Sequence, residues 1–232
     1  MDYMVNNFDS FFVPVSNKYY NNVLSNEELV IYVLVKRNFS SAKELSVVSI
    51  DMLCKLLKIN MSKNVRAKNK ILDAINALVQ KEILTCYDLN YKKVEFKNVK
   101  KDIFLIQSEN TTKNYFKVYD ASLDKIIEYA KDKKLDTFAL CRYYFAICRV
   151  CNCNSMIGYL SSTSVTFINN KKTCYKYNKI LQDLKLIKYN TDFITAKQHN
   201  IATYFTTNIN IDNNKFKQYI EAEAISKGYI HV

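Results

Sequence analysis

Glycine and proline are almost absent: two glycines, at 158 and 228, and one proline, at 14, in 232 residues. Such scarcity disfavours all-β folds, which need many special turns, and favours helices joined by Asn- and Ser-containing turns. With those two isolated glycines no Walker-type phosphate loop exists, which excludes a stand-alone ATPase or helicase. Histidine is nearly as rare, at 199 and 231 only, and this excludes a histidine-pair metal nuclease. No apolar run approaches the length of a membrane-spanning helix. The opening MDYMVNNFDS has neither the basic nor the apolar region of a signal peptide, so the expected compartment is the cytosol. The seven cysteines are odd in number and sit among apolar neighbours, as reduced core thiols do. The cluster Cys148-Arg-Val-Cys151-Asn-Cys153 lacks the second ligand pair a zinc site requires, and reads as core and helix-end packing.

What is abundant is positive charge and apolar surface. Thirty-four Lys and Arg stand against 22 Asp and Glu, a net charge of +12, and 49% of residues are hydrophobic. A folded chain of this length fits one large domain or two smaller ones, and its excess charge biases it toward a polyanion, with nucleic acid first.

The stretch from Ser62 to Leu84, SKNVRAKNKILDAINALVQKEIL, organises the first half. At helical periodicity Val65, Ile71, Leu72, Ile75, Leu78 and Val79 share one side. Lys63, Arg66 and Lys70 gather opposite, in an arc of roughly 60°. A basic front half over a continuous apolar stripe is the pattern of a recognition helix. Before it, Val13 precedes Pro14 in a short extended segment. Ser25 then caps a helix to about Lys36, with Glu27 and Glu28 in its first turn and Leu24 as a staple residue. RNFSSAKELS follows as a polar linker, and a short helix begins at Ser49 or Asp51. Ser62 is the expected cap of the long helix. After it, Ile83 to Tyr87, a turn at Asp88 to Tyr91, Val94 to Phe96 and Ile103 to Ile106 alternate as strands. A hairpin after a recognition helix is a wing, and Lys92, Lys93 and Lys97 lie where it would meet phosphates.

The second half repeats the order after a hinge at Glu109 to Asn114. YFKVYD is a strand, a helix follows from Leu123 to Lys131, and Asp136 is the expected cap of TFALCRYYFAICRVC, apolar almost all round. Leu24-Ser25 matches Leu135-Asp136, with Tyr32 and Tyr143 following at the same distance. Asn69-Lys70-Ile71-Leu72 recurs as Asn178-Lys179-Ile180-Leu181, a spacing that also pairs Lys63 with Lys172, Val65 with Cys174 and Ile75 with Leu184. From Asn170 to Lys185 one helix presents Lys172, Tyr175, Lys176 and Lys179 on one face. YLSSTSVTFINN, before it, is less helical than its counterpart. Ile187 to Tyr189 and Phe193 to Thr195 suggest a second wing. From Asp212, Phe216, Tyr219, Ile220 and Ala224 mark a closing helix that packs on its own domain or on a partner subunit.

The pattern FFVPVSNKYY…LSNEELVIYVLVKRN…SIDMLCKLLKI…SKNVRAKNKILDAINALVQKEIL resembles the N-terminal winged helix of replication initiator and replisome-organiser proteins of plasmids and phages from low-GC Gram-positive bacteria. The likeness covers about residues 8 to 107. It implies an origin binder that recruits host replication proteins, with base-reading helices at Ser62 to Lys70 and Lys171 to Lys179.

The expected architecture is therefore α+β, mainly α: two tandem winged helix-turn-helix domains, residues 1–109 and 110–232, the second closed by a C-terminal helix. The expected partner is double-stranded DNA, with host replication proteins and a homodimer as further partners and no membrane. Lys63, Asn64, Arg66 and Lys70 would face the major groove, with Arg66 contacting guanine. Lys92, Lys93 and Lys97 would hold phosphates, and Lys172, Tyr175, Lys176 and Lys179 would extend the footprint. No catalytic constellation, metal site or cofactor motif is apparent. A transcriptional or partition regulator of the same fold, and a protein-interaction scaffold with solvated lysines, are the alternatives.

Overall fold

The computed structural model describes residues 11–20, 23–40, 45–60, 65–94, 103–109, 111–151, 157–161, 171–194, 201–228 and 230–231. Among them the chain is mixed α/β, with eight helices and three antiparallel sheets. It forms two compact units, Met1–Phe138 and Ala139–Val232. No helix among the described residues is long and apolar enough to cross a membrane.

The first unit runs β1 (Phe12–Ser16), α1 (Asn17–Tyr20), α2 (Asn26–Arg37), β2 (Phe39–Ser40), β3 (Leu45–Val48), α3 (Ile50–Leu56), α4 (Val65–Gln80), β4 (Leu84–Tyr87), β5 (Phe104–Ser108), β6 (Tyr115–Tyr119) and α5 (Asp120–Asp132). β1 pairs antiparallel with β6, so the segment read as a hinge, Glu109 to Asn114, runs between two strands of this unit. The other sheet has the order β2-β3-β5-β4. Its strand β2 and the first half of β3 lie within the expected polar linker, residues 37–46, because runs this short do not stand out from their neighbours.

α2 is the axis of this unit, with every residue from Leu29 to Val35 fully buried. Its start is a capping box: the Ser25 hydroxyl accepts from the Glu28 N–H, and the Glu28 carboxylate accepts from the Ser25 N–H. Lys81 then closes on the same carboxylate at 2.6 Å. At the other end Arg37 makes a forked contact with Asp124 and a longer one with Asp120, joining α2 to the start of α5. Between them, Lys36 is buried, donating to Thr111 Oγ1 at 2.7 Å and to the Glu109 carbonyl at 3.2 Å.

The second unit takes in most of α6 (Thr137–Val150), then β7 (Ile157–Ser161), α7 (Lys171–Asp183), β8 (Lys188–Ile194), β9 (Ile201–Thr206), α8 (Asn213–Ser226) and β10 (Ile230–His231). Its sheet order is β10-β8-β9-β7. The expected small wing within residues 187–195 is not a hairpin. Residues 188–194 form one strand, bulged between Asn190 and Phe193, whose partner is β9. Asp212 caps α8 through the N–H groups of Asn214 and Lys215. Phe216, Ile220 and Ala224 pack with Ile157 and Tyr204, so the closing helix covers its own unit. Tyr219, expected on that stripe, is exposed.

Four helices end alike despite the shortage of glycine. Lys58, Glu82, Lys134 and Lys185 all have positive φ, between 52° and 57°. At each the next N–H reaches back across the last turn: Ile59 to Cys54, Ile83 to Leu78, Leu135 to Ala130 and Leu186 to Leu181. This is the Schellman closure, normally built on glycine. It also corrects the internal register. Aligned on these ends, Glu82 corresponds to Lys185, Leu78 to Leu181, Ile75 to Asn178 and Ile71 to Cys174. Ile75, Leu78, Asn178 and Leu181 are all buried. The repeated Asn-Lys-Ile-Leu is therefore out of register, since Asn69 is exposed whereas Asn178 is buried.

Candidate nucleic-acid interface

α4 buries Ile71, Ala74, Ile75 and Leu78 and turns its opposite face outward. Lys63, Asn64 and the expected Ser62 cap lie outside the described residues, as does Lys97. Arg66 and Lys70 are both exposed, but they are not equivalent. Lys70 pairs with Glu27 at 3.2 Å, and Lys68 lies 3.9 Å from Asp51. Arg66 alone among the three cations of α4 meets no carboxylate among the described residues. Val65, expected in the apolar stripe, is 67% exposed. It stands at the first residue of the helix and well round from the Ile71–Ile75–Leu78 ridge, so the core does not reach it. Asn69, one turn on, is exposed as well.

Of the expected strand Val94–Phe96, only Val94 lies among the described residues. β4 pairs along its whole length with β5. The Asp88–Tyr91 turn is nonetheless closed, by a Tyr87–Lys93 bridge and a Val94 N–H to Cys86 carbonyl bond. Asp88 Oδ1 accepts from the N–H groups of Asn90 and Lys92, both at 2.9 Å. This local lock holds Leu89, Tyr91, Lys92 and Lys93 outward. Leu89 and Tyr91 escaped notice in the sequence because a turn's apolar residues carry no periodicity. Lys55 and Lys58, exposed at the end of α3, were likewise missed; their place beside the helix-turn was the available signal.

In the second unit α7 presents Lys172, Tyr175, Lys176 and Lys179 outward on one face, the spacing of successive helical turns. Tyr177, Asn178 and Leu181 are buried behind them, with Tyr143 Oη donating to Asn178 Oδ1 at 2.6 Å. Lys176 and Lys179 meet no carboxylate among the described residues. Cys148 and Cys151 are buried, and burial pushes the Cys148 thiol up to about 12. Cys151 Sγ lies 3.4 Å from the Phe205 carbonyl oxygen. Both pack as core residues.

No protein-family model and no curated protein matches this chain.

Proposed function

We propose that the chain is a non-enzymatic, sequence-specific double-stranded DNA-binding protein made of two tandem winged helices, acting at a replication origin of a plasmid or phage. The observation that carries the reading is the order α2-β3-α3-α4-β4-β5 with β5 between β3 and β4, the connectivity of a winged helix. The second unit gives partial support, with α6-β7-α7-β8-β9 and β9 between β7 and β8. On this reading α4 enters the major groove with Arg66 as its uncommitted cation. The Asp88–Lys93 turn meets the flanking backbone, and Lys172, Lys176 and Lys179 neutralise phosphates. The resemblance to replication initiators is what favours an origin over an operator.

Selection of bound fragments from a random duplex library, followed by fluorescence anisotropy across a salt series, tests it. Recovered directly repeated sites fit an origin binder; one palindrome points to a dimeric regulator. Arg66→Ala should lose about 1–3 kcal/mol and relax one base preference. Replacing Lys176 and Lys179 with Ala should lower the salt slope by about 0.9 for each lost phosphate contact. Absence of duplex binding at low salt would overturn the proposal.

A further inference from the structure

We propose that Val65 and Asn69 form an A·T-reading ridge on α4, Val65 packing on a thymine 5-methyl group and Asn69 pairing with adenine N6 and N7. This rests on the duplex-binding reading above and names residues that charge alone does not. Val65 is 67% exposed and is one helical turn from Asn69, so the two are stacked neighbours along the helix surface. The Asn69 side chain is exposed and makes no hydrogen bond among the described residues. The neighbouring cations are drawn elsewhere, Lys70 to Glu27 and Lys68 to Asp51. Among the described residues, Val65, Arg66 and Asn69 are left as the exposed set in the first part of the helix that no carboxylate engages. Asp73 is exposed one turn beyond Asn69, where its negative charge disfavours further backbone contact.

The three side chains differ in chemistry. In the major groove thymine alone presents a methyl group, and adenine presents an adjacent acceptor and donor. A valine has no polar atom with which to read anything but the methyl, and an asparagine amide matches the adenine pair bidentately. Arg66 supplies attraction to the duplex and the guanine contact. Val65 and Asn69 would then set the step beside that guanine.

The test modifies the DNA before the protein. Starting from a duplex selected by the full-length chain, each thymine is replaced singly by deoxyuridine and each adenine by 7-deazaadenine. Wild-type affinity should fall about three- to tenfold at one uracil position, the effect of one buried methyl group, and at one deazaadenine position. Val65→Ala should bind more weakly but become indifferent to that uracil, and Asn69→Ala should become indifferent to that deazaadenine. Wild-type indifference to uracil at every position overturns the inference while leaving duplex binding intact. So does a Val65→Ala variant that keeps the uracil sensitivity. Failure to select any duplex overturns the duplex-binding reading, and this inference with it.

Discussion

The two units share a run of helix, strand, basic helix and two strands, α2-β3-α4-β4-β5 with α3 inserted before α4 and α6-β7-α7-β8-β9, but are held together by different chemistry. In the first, polar ties converge on α2: Glu28 holds Lys81, Lys36 reaches the 109–111 segment, and Arg37 engages α5. With Tyr32 set beside Tyr143, the corresponding positions of α6 carry Ala139, Ile147 and Cys148, and α6 buries one charge elsewhere, Arg142. In the second unit, the long basic helix is anchored by the Tyr143–Asn178 bond where the first has the fully buried Ile75. The contrast bears on the proposed interface. Acidic residues of the first unit lie beside two of α4's three cations, leaving one guanidinium that meets no carboxylate among the described residues. Lys176 and Lys179 of α7 have no such ties among the described residues. A few well-placed groups suit base reading; a row of uncommitted lysines suits phosphate neutralisation.

The sharpest way to break the second unit without touching the first is Gly158→Ala. A Cβ at Gly158 would overlap the backbone carbonyl of Val150, where β7 crosses the end of α6. Backbone cannot swing aside as a side chain can, so a loss of about 2–3 kcal/mol is expected. Hydrogen exchange read by mass spectrometry should show it in β7 and β9 peptides, with β3 and β5 peptides unchanged. Next in size is Tyr143→Phe, which leaves the buried Asn178 carbonyl without its donor at a cost of about 1–3 kcal/mol. Adding Asn178→Ile, which copies the first unit's Ile75, should recover most of that loss. Additive penalties would mean that the hydrogen bond is not what the two residues share.

A pH titration should distinguish the units by a single side chain. Burial pushes the Lys36 ammonium down to about 8, against the attraction of Glu109. In the unfolded chain a lysine keeps its proton to about pH 10.4. Between these values the unfolded chain binds the proton that the folded chain has released, so stability rises with pH across that window. Below about 8 both states are protonated and the burial cost is felt in full. The rise approaches about 1.4 kcal/mol per pH unit at its steepest. Urea unfolding at pH 7 to 9.5 should reveal it in the wild type and flatten it in Lys36→Met. Parallel profiles would mean that Lys36 does not release its proton in that range. Peptides of the second unit, with Ile147 at the matching place, should follow the same profile in both proteins.

Much of the fold was legible where local chemistry decides it. The Ser25 cap of α2, the start of α3 at Ser49 or Asp51, the apolar α6 and the start of α8 near Asp212 follow from short-range patterns. What escaped was set by distant partners. β1 finds β6 across most of the first unit, and β4 finds β5 well beyond the turn that follows it. Val65 was placed on the apolar stripe of α4 yet is exposed, because it stands at the start of the helix and at the edge of that arc, well round from the buried Ile71, Ile75 and Leu78. The cationic residues of the candidate interface were found by counting charge. Their inequality was not, because Glu27 and Asp51 lie on other elements. The letter-for-letter Asn-Lys-Ile-Leu match misled for a related reason: register is set by how a helix ends, and four residues of common types do not mark the end.

Those ends supply the finest test of the comparison. A side chain in the left-handed region crowds its own carbonyl, so replacing it with glycine should stabilise each closure by about 0.5–1 kcal/mol. Lys58→Gly, Glu82→Gly and Lys134→Gly should raise the stability of the first unit, and Lys185→Gly that of the second, without new contacts. Gly228, after α8, already has φ of 66° and open space around it, so Gly228→Ala should cost about as much as the others gain. Chemical unfolding of the five variants reads the effect in both directions. If the lysine and glutamate variants gain nothing while Gly228→Ala still loses, their side chains stabilise the closures in another way. At Glu82 the hydrogen-bonded frame is the same as at Lys58, Lys134 and Lys185, but the charge is opposite. A gain at all four would assign the cost to the backbone; a gain restricted to the three lysines or to Glu82 would assign it to charge at a helix C-terminus.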